Sequence, residues 1–135
     1  MADDRAAERE AVIRATWDQW NEGVRDPQAM GTGLAEGFVL KSALTGRTFH
    51  GRQGLIDWMS EIDENFGAWN IRIDEIRPMT PDRYVVLGWV HLKGRGSGLE
   101  LDQPIGWVIE FEGDLTTRLL NFASHEEAIA AGEAT

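Results

Sequence analysis

His91 and Asp102 are the two residues whose types and spacing could support acid-base chemistry. His91 lies in a strand-like run between Val90 and Leu92, and Asp102 lies in the next such run, beyond a Gly-rich turn. An imidazole titrates near neutral pH, and a carboxylate partner fixes its tautomer, so the pair could act as a general acid or base. We favour the alternative, a hydrogen-bonded histidine at the sheet surface or at a dimer face. Strand register is open, and a slip of one residue reverses the facing of both side chains.

The six tryptophans are the second chemically suggestive set, at positions 17, 20, 58, 69, 89 and 107. Indole combines a large apolar surface with one N–H donor, which suits a pocket for a flat or apolar ligand. Aromatic residues at helical or alternating spacing are also ordinary core residues. We assign Trp17, Trp20, Trp58 and Trp107 to a pocket wall, and we place Asn121 at its mouth.

The sequence indicates no metal and no cofactor. It contains no cysteine, and its three histidines, His50, His91 and His125, show neither HxH nor HExxH spacing. The glycines at 94, 96 and 98 lie between two strand-like runs. A phosphate-binding loop requires a helix after the loop, so these glycines predict a turn.

Charge and hydropathy exclude several classes of partner. A net charge of -10 opposes binding to nucleic acid and to anionic lipid surfaces. No apolar run approaches the roughly 18 residues of a membrane span, and the acidic N-terminus lacks the features of a signal peptide. We therefore expect a cytoplasmic protein that contacts neither nucleic acid nor membrane.

The apolar periodicity predicts an α+β domain. Helices are predicted over 4–22, 28–34, 52–66 and 126–132, and strands over 37–44, 47–50, 69–74, 84–93, 99–111 and 115–122. A long hairpin, 84–111, is the centre of the predicted sheet, and the helices are expected on one face of it. A chain of 135 residues without a linker-like stretch predicts a single domain over 1–135.

Several stretches together resemble the SnoaL-like branch of the nuclear transport factor 2-like superfamily, over nearly the whole chain. They are the first helix ending in Asn21-Glu22-Gly23, the segment FHGRQGLIDWM, and the run DRYVVLGWV…GSGLELDQPIGWVIEFEGDL…HEEAIAAG. The resemblance implies a cone-shaped, curved, mixed or antiparallel sheet wrapped around helices on its concave face, a pocket inside the cone, and frequent homodimers. The superfamily includes ketosteroid isomerases, polyketide cyclases, epoxide hydrolases and non-catalytic binding modules.

The catalytic positions that the resemblance implies fall mostly on residues without the required chemistry. The three ketosteroid isomerase positions fall on Thr16, Ser42 and Trp107, which are poor carbon bases and poor enolate stabilisers. The polyketide cyclase histidine resembles His91, but its partner carboxylate falls near Trp107. Asp102 could replace that carboxylate, and the charged relay of the epoxide hydrolases is missing.

Three functions from different classes remain. We favour a small-molecule-binding domain that holds a small apolar or aromatic molecule against the tryptophans. The second is a cyclase, isomerase or epoxide hydrolase that uses His91 as acid or base and Asp102 to orient it. The third is a non-catalytic dimerisation or interaction module. An open interior of roughly 300 Å³ or more would argue against the third function.

We also expect a homodimer, because a sheet with helices on one face leaves the other face to be covered. The residues expected to be buried there are Val85, Leu87 and Trp89.

Overall fold

The computed structural model describes residues 2–23 and 33–134, in which three helices accompany one six-stranded sheet. The helices are α1 (Ala2–Asn21), α2 (Gly51–Asn65) and α3 (His125–Glu133). The strands are β1 (Leu34–Lys41), β2 (Thr48–His50), β3 (Phe66–Thr80), β4 (Arg83–Gly94), β5 (Glu100–Glu112) and β6 (Leu115–Phe122). The predicted α+β class is confirmed. No helix in the described ranges combines the length and the apolarity that a membrane crossing requires.

Several element boundaries differ from the sequence prediction. β1, predicted over 37–44, and the start of β3, predicted at 69, each lie three residues earlier in the chain. The short helix predicted over 28–34 lies almost entirely outside the described residues, and Leu34 begins β1 instead. β3 was predicted to end at Asp74 but continues through Pro78 to Thr80. Proline is tolerated there because β3 is an edge strand, whose outward N–H groups have no strand partner to lose.

The sheet has the strand order β2-β1-β6-β5-β4-β3. β1 pairs with β6 in parallel, and the other neighbouring strands pair antiparallel, so the sheet is mixed. It is open, with β2 and β3 at its edges, and forms the predicted cone around α1 and α2. The long β3, β4 and β5 supply most of its wall.

The main hydrophobic core lies between the concave face of the sheet and the helices α1 and α2. Alternate residues of β4 face it, because side chains along a strand alternate between the two faces. Buried residues of α1 and α2 recur at helical spacing and close the core from the other side. The main members are Ile13, Trp17, Trp20, Leu55, Trp58, Met59, Ile62, Tyr84, Val86, Val90, Leu92 and Trp107.

α3 lies on the outer, convex face, whereas the sequence prediction placed the helices on one face only. It buries a second apolar cluster that includes Val85, Leu87 and Ala128. Glycine at position 106 permits the close approach, since a Cβ there would lie 2.5 Å from the Cβ of Ala128. Ser124 caps the helix by accepting a hydrogen bond from the N–H of Glu127. Part of the face expected to need a partner is therefore covered by the chain itself.

Hydrogen bonds fix the C-terminal end of α1 against the edge strand β3. The side chain of Asn21 donates to the carbonyl of Ile71 at 2.7 Å and accepts from the N–H of the same residue at 2.8 Å. The indole N–H of Trp20 donates to the carbonyl of Trp69 at 2.7 Å. These side chains satisfy backbone groups that an edge strand would otherwise leave open, and they set the position of Trp17 over the sheet.

Candidate ligand-binding site

An apolar cavity of about 60 Å³ lies between α1, α2 and the concave face of the sheet. Its walls include Ile13, Trp17, Phe38, Leu55, Trp58 and Ile109, and its hydroxyl-bearing residues are Thr16 and Thr116. None of the described residues that line it ionises. The space is far below the roughly 300 Å³ at which pockets for drug-sized ligands begin. It corresponds to about two molecules of liquid water, so it holds a group of a few non-hydrogen atoms.

The structure brings together the four tryptophans that the sequence assigned to a pocket wall. Trp17 contacts Trp20 with ring centroids 6.2 Å apart and Trp107 with centroids 5.0 Å apart, and Trp20 contacts Trp58 at 5.4 Å. Trp17 and Trp58 border the cavity. Trp20 and Trp107 are fully buried behind them and do not line it. The four rings thus form one cluster, half of which faces the open space.

Two indole N–H groups in this cluster have no hydrogen-bond acceptor among the described residues. They belong to Trp17, which is 3% exposed, and to Trp107, which is 0% exposed. Trp20, by contrast, donates to the carbonyl of Trp69. A buried donor left without a partner costs about 1–3 kcal/mol. The sequence carried no signal for this difference, because it depends on which backbone carbonyl the fold brings beside each ring.

Asn121 lies on the concave face, opposite Trp107 in the register of β5 and β6. It is buried, and its amide donates to the carbonyl of Lys41 at 2.7 Å. This bond joins β6 to the end of β1. The side chain predicted for the mouth of a pocket is therefore used within the sheet and does not line the cavity.

His91 and Asp102 are partners in the register of β4 and β5, and they lie on the convex face of the sheet. Nδ1 of His91 is 2.8 Å from Oδ1 of Asp102, and Nε2 is 3.3 Å from Oε1 of Glu100. The side chains of His91 and Asp102 are 45% and 68% exposed. Val90 and Leu92, the neighbours of His91, face the core instead. The structure therefore brings His91 to Asp102 but brings neither residue to the cavity.

The electrostatics of this pair favour the charged imidazole. Hydrogen bonds to Asp102, and secondarily to Glu100, raise the pKa of His91 above its ordinary value. A general base must present a free lone pair, and the protonated imidazole that these carboxylates favour has none on either ring nitrogen. The hollow beside the pair, about 370 Å³ and lined also by Asn70, Arg72 and Trp89, is open to solvent.

The other histidine interactions are structural. Nε2 of His125 lies 2.8 Å from the carbonyl of Gly88, and its ring meets that of Trp89 edge to face. These contacts hold the start of α3 on the convex face. Among residues 2–23 and 33–134, no group of three His, Asp or Glu side chains is arranged to hold a metal ion.

Comparisons with known proteins match this architecture. The sequence profile of the SnoaL-like domain family matches residues 13–119, a range that begins and ends on the cavity wall. No curated protein matches the sequence.

Solved structures with similar folds come from several bacteria. One is a nuclear transport factor 2-like protein of unknown function from Burkholderia pseudomallei, with a TM-score of 0.73 and 18% identity over 93% of this chain and 97% of the other. A provisionally named SnoaL-like polyketide cyclase from Jannaschia has a TM-score of 0.74 and 16% identity over 96% and 94%. A hypothetical protein with a ketosteroid isomerase-like fold from Catenulispora acidiphila, solved with trimethylamine, has a TM-score of 0.72 and 17% identity over 92% and 93%. At these identities the likeness shows the fold alone.

Proposed function

The chain belongs to the SnoaL-like domain family, and we propose that it is a small-molecule-binding member that holds a compact apolar or aromatic ligand inside the cone. The observation that carries the proposal is the apolar cavity bordered by Trp17 and Trp58. Apolar cavities in protein cores accept apolar molecules that fit them. Burial of the ligand's apolar surface would supply the binding energy.

The energetics of the cavity support a binding role. A void of about 60 Å³ destabilises the fold by about 1.4 kcal/mol, at roughly 24 cal/mol per Å³ of cavity. The unpaired N–H of Trp17, a residue that borders the same cavity, adds about 1–3 kcal/mol. Departures from close packing and from full hydrogen bonding are typical of functional sites in natural proteins. A ligand that fills the void recovers part of this energy on binding.

The cavity volume limits the size of the ligand. A molecule of drug size does not fit within about 60 Å³. The ligand is therefore either a compact molecule or the end of a longer one, whose remainder lies outside the enclosed space. This limit on ligand size comes from the cavity of this chain, and the fold alone would not give it.

The position of the ionisable groups favours binding over catalysis. The described residues of the cavity wall include no carboxylate, imidazole or amine. His91 and Asp102, the pair suggested for acid-base chemistry, lie on the opposite face of the sheet. A cyclase, isomerase or epoxide hydrolase reaction at the cavity would thus have no acid or base from these residues. The enzyme alternative receives no support from this arrangement.

Thermal unfolding with a panel of compact apolar compounds tests the proposal. A compound at one hundred times its Kd stabilises the native state by about 2.7 kcal/mol, which raises Tm by roughly 10 °C in a domain of this size. Leu119→Phe, which enlarges a residue of the cavity wall, should weaken binding about tenfold or more. Leu120→Phe is the matched control, because that neighbour faces the outer cluster. A flat response across the panel, or equal effects of the two variants, would contradict the proposal.

A second candidate, an interaction module that forms homodimers through the convex face, is favoured by the small interior. α3 covers Val85 and Leu87, so the face left for a partner is the end around Trp89. Trp89 is half-buried there, beside the open hollow that His91 and Asp102 line. Sedimentation at micromolar concentration should show a dimer, and Trp89→Lys should convert it to a monomer. A wild-type protein that sediments only as a monomer would rule this candidate out.

A further inference from the structure

We propose that the ligand presents a neutral carbonyl oxygen to the indole N–H of Trp17. This inference rests on the proposed function, since it assigns the ligand chemistry of the same cavity. It makes Trp17 a specificity-determining residue in addition to a wall of the cavity.

The first argument is the contrast between two tryptophans on one helix. Trp17 and Trp20 lie less than one turn apart on α1, and both are buried. The N–H of Trp20 donates to the carbonyl of Trp69 at 2.7 Å, whereas the N–H of Trp17 has no acceptor among the described residues. Buried donors are paired in the great majority of cases, so an unpaired one on a residue that borders a cavity points to a partner other than the described residues, and we assign that partner to the ligand.

The second argument is the composition of the wall. Apart from two threonine hydroxyls, the described side chains that line the cavity carry no hydrogen-bond acceptor. The hydroxyl of Thr16 donates to the carbonyl of Val12 at 2.8 Å. The ring beside Trp17 belongs to Trp107, whose own N–H is a second unpaired donor. The cavity wall thus offers one unpaired indole donor, that of Trp17, and a ligand acceptor is the complementary group.

The third argument concerns the charge of the ligand. Burying an ionised group without a partner of opposite charge is strongly unfavourable. Arg9 lies 4.8 Å from the ring centroid of Phe111, a residue of the cavity wall. Its guanidinium already donates to Pro81, Asp82 and Gly113. The described residues that line the cavity include no cationic side chain, so a carboxylate would have no counter-charge on the wall and the acceptor is an uncharged carbonyl.

Two probes of nearly the same shape test the assignment. Acetone carries the carbonyl, and 2-methylpropene replaces its oxygen with a CH₂ group. We expect acetone to bind about tenfold more tightly, the scale of one buried donor regaining a partner. In ¹H–¹⁵N spectra the indole signal of Trp17 should move downfield with acetone and much less with 2-methylpropene. Trp17→Phe assigns that signal.

Paired variants separate the hydrogen bond from the shape of the wall. Trp17→Phe keeps an aromatic ring and removes the donor, so the tenfold preference should fall to about one. Trp107→Phe is the matched control: it removes the neighbouring unpaired donor, which does not border the cavity, and should leave the preference intact. If Trp17→Phe fails to fold, benzothienylalanine at position 17 gives the same comparison, because it keeps the indole shape without the N–H.

The outcomes distinguish this inference from the proposed function. Equal binding of the two probes, or a preference that survives the loss of the Trp17 donor, overturns the carbonyl assignment and leaves the binding function standing. Binding of neither probe, together with a flat response to the wider panel, overturns both. Binding of neither probe while other panel compounds bind overturns the carbonyl assignment alone.

Discussion

Arg9→Met tests how the N-terminal half of α1 is held over the cavity. The guanidinium of Arg9 is nearly buried, with its side chain 9% exposed. It donates to the carbonyl of Pro81 at 2.7 Å, to Oδ1 of Asp82 at 2.7 Å and to the carbonyl of Gly113 at 2.8 Å. These bonds join α1 to the turn between β3 and β4 and to the turn between β5 and β6. Methionine keeps much of the aliphatic contact and removes all three bonds.

The expected loss follows from the exposure of the acceptors. Hydrogen bonds to a charged group contribute about 1.5–3 kcal/mol each. Pro81 and Gly113 lie in exposed turns, and Asp82 is mostly exposed, so water would solvate these oxygens in the variant. We therefore take about 1 kcal/mol per bond. The free energy of unfolding should fall by about 3 kcal/mol, which lowers Tm by roughly 10 °C for a domain of this length.

Urea unfolding followed by tryptophan fluorescence measures this change. Arg14→Met is the matched control, because Arg14 lies on the same helix with its side chain 48% exposed and bonds only to Glu10, at 3.2 Å, in the described contacts. That variant should lose less than about 0.5 kcal/mol. Because α1 forms a wall of the cavity, Arg9→Met should also weaken ligand binding. Unfolding free energies within about 0.5 kcal/mol of each other for the two variants would refute the role given to Arg9.

Two further predictions concern the convex face. Gly106→Ala should destabilise the protein by about 1–3 kcal/mol, because the added Cβ would overlap that of Ala128. Equilibrium unfolding measures this change. Gly67→Ala is the control, because no atom lies within 4 Å of the carbon that it adds. NMR titration should place the pKa of His91 above 6.5, and Asp102→Asn should lower it, since the hydrogen bond to Asp102 is the largest cause of the increase. This pairing stabilises the fold fully below about pH 6.5, the unfolded value, and the contribution disappears as the pH rises through the raised pKa. A pKa unchanged by Asp102→Asn would show that the pairing does not form in solution.

The sequence predicted the elements whose apolar pattern is strong and local. α2 and the β4–β5 hairpin lie close to their predicted positions, because a helical stripe and glycine turns are visible without tertiary information. The extension of β3 through Pro78 was missed. Whether a proline ends a strand depends on whether that strand lies at an edge, and strand order is a property of the whole sheet.

The placement of α3 was missed for a related reason. Its sequence, rich in alanine and acidic residues, predicts a helix but contains nothing that selects a face of the sheet. The selection comes from glycine at position 106, which opens space opposite Ala128 on the convex face. A glycine in a strand indicates close approach of a neighbour, yet it does not identify which neighbour approaches.

At the candidate site too, the amino-acid composition predicted which residue types occur, but not how the fold arranges them. The abundance of tryptophan indicated an aromatic interior, and the four selected rings do form one cluster. Composition could not indicate that Trp17 borders open space while Trp107 does not. Nor could it show which N–H groups remain unpaired, because hydrogen bonding at this range is decided by contacts between residues far apart in the chain.

His91 lies apart from the tryptophan cluster because successive side chains along a strand point to opposite faces of the sheet. In β4 the side chains of Val90 and Leu92 face the core, so residue 91 must face outward for as long as the strand is regular. Its partner Asp102 is fixed on the same outer face by the register. No side-chain rotation moves this pair into the cone, and a shift of register would turn out Val90 and Leu92 at the same time. A chain of this family can therefore keep the fold while its strongest acid-base pair lies outside the cone, and any reaction inside would need an acid or base that the described cavity wall does not contain.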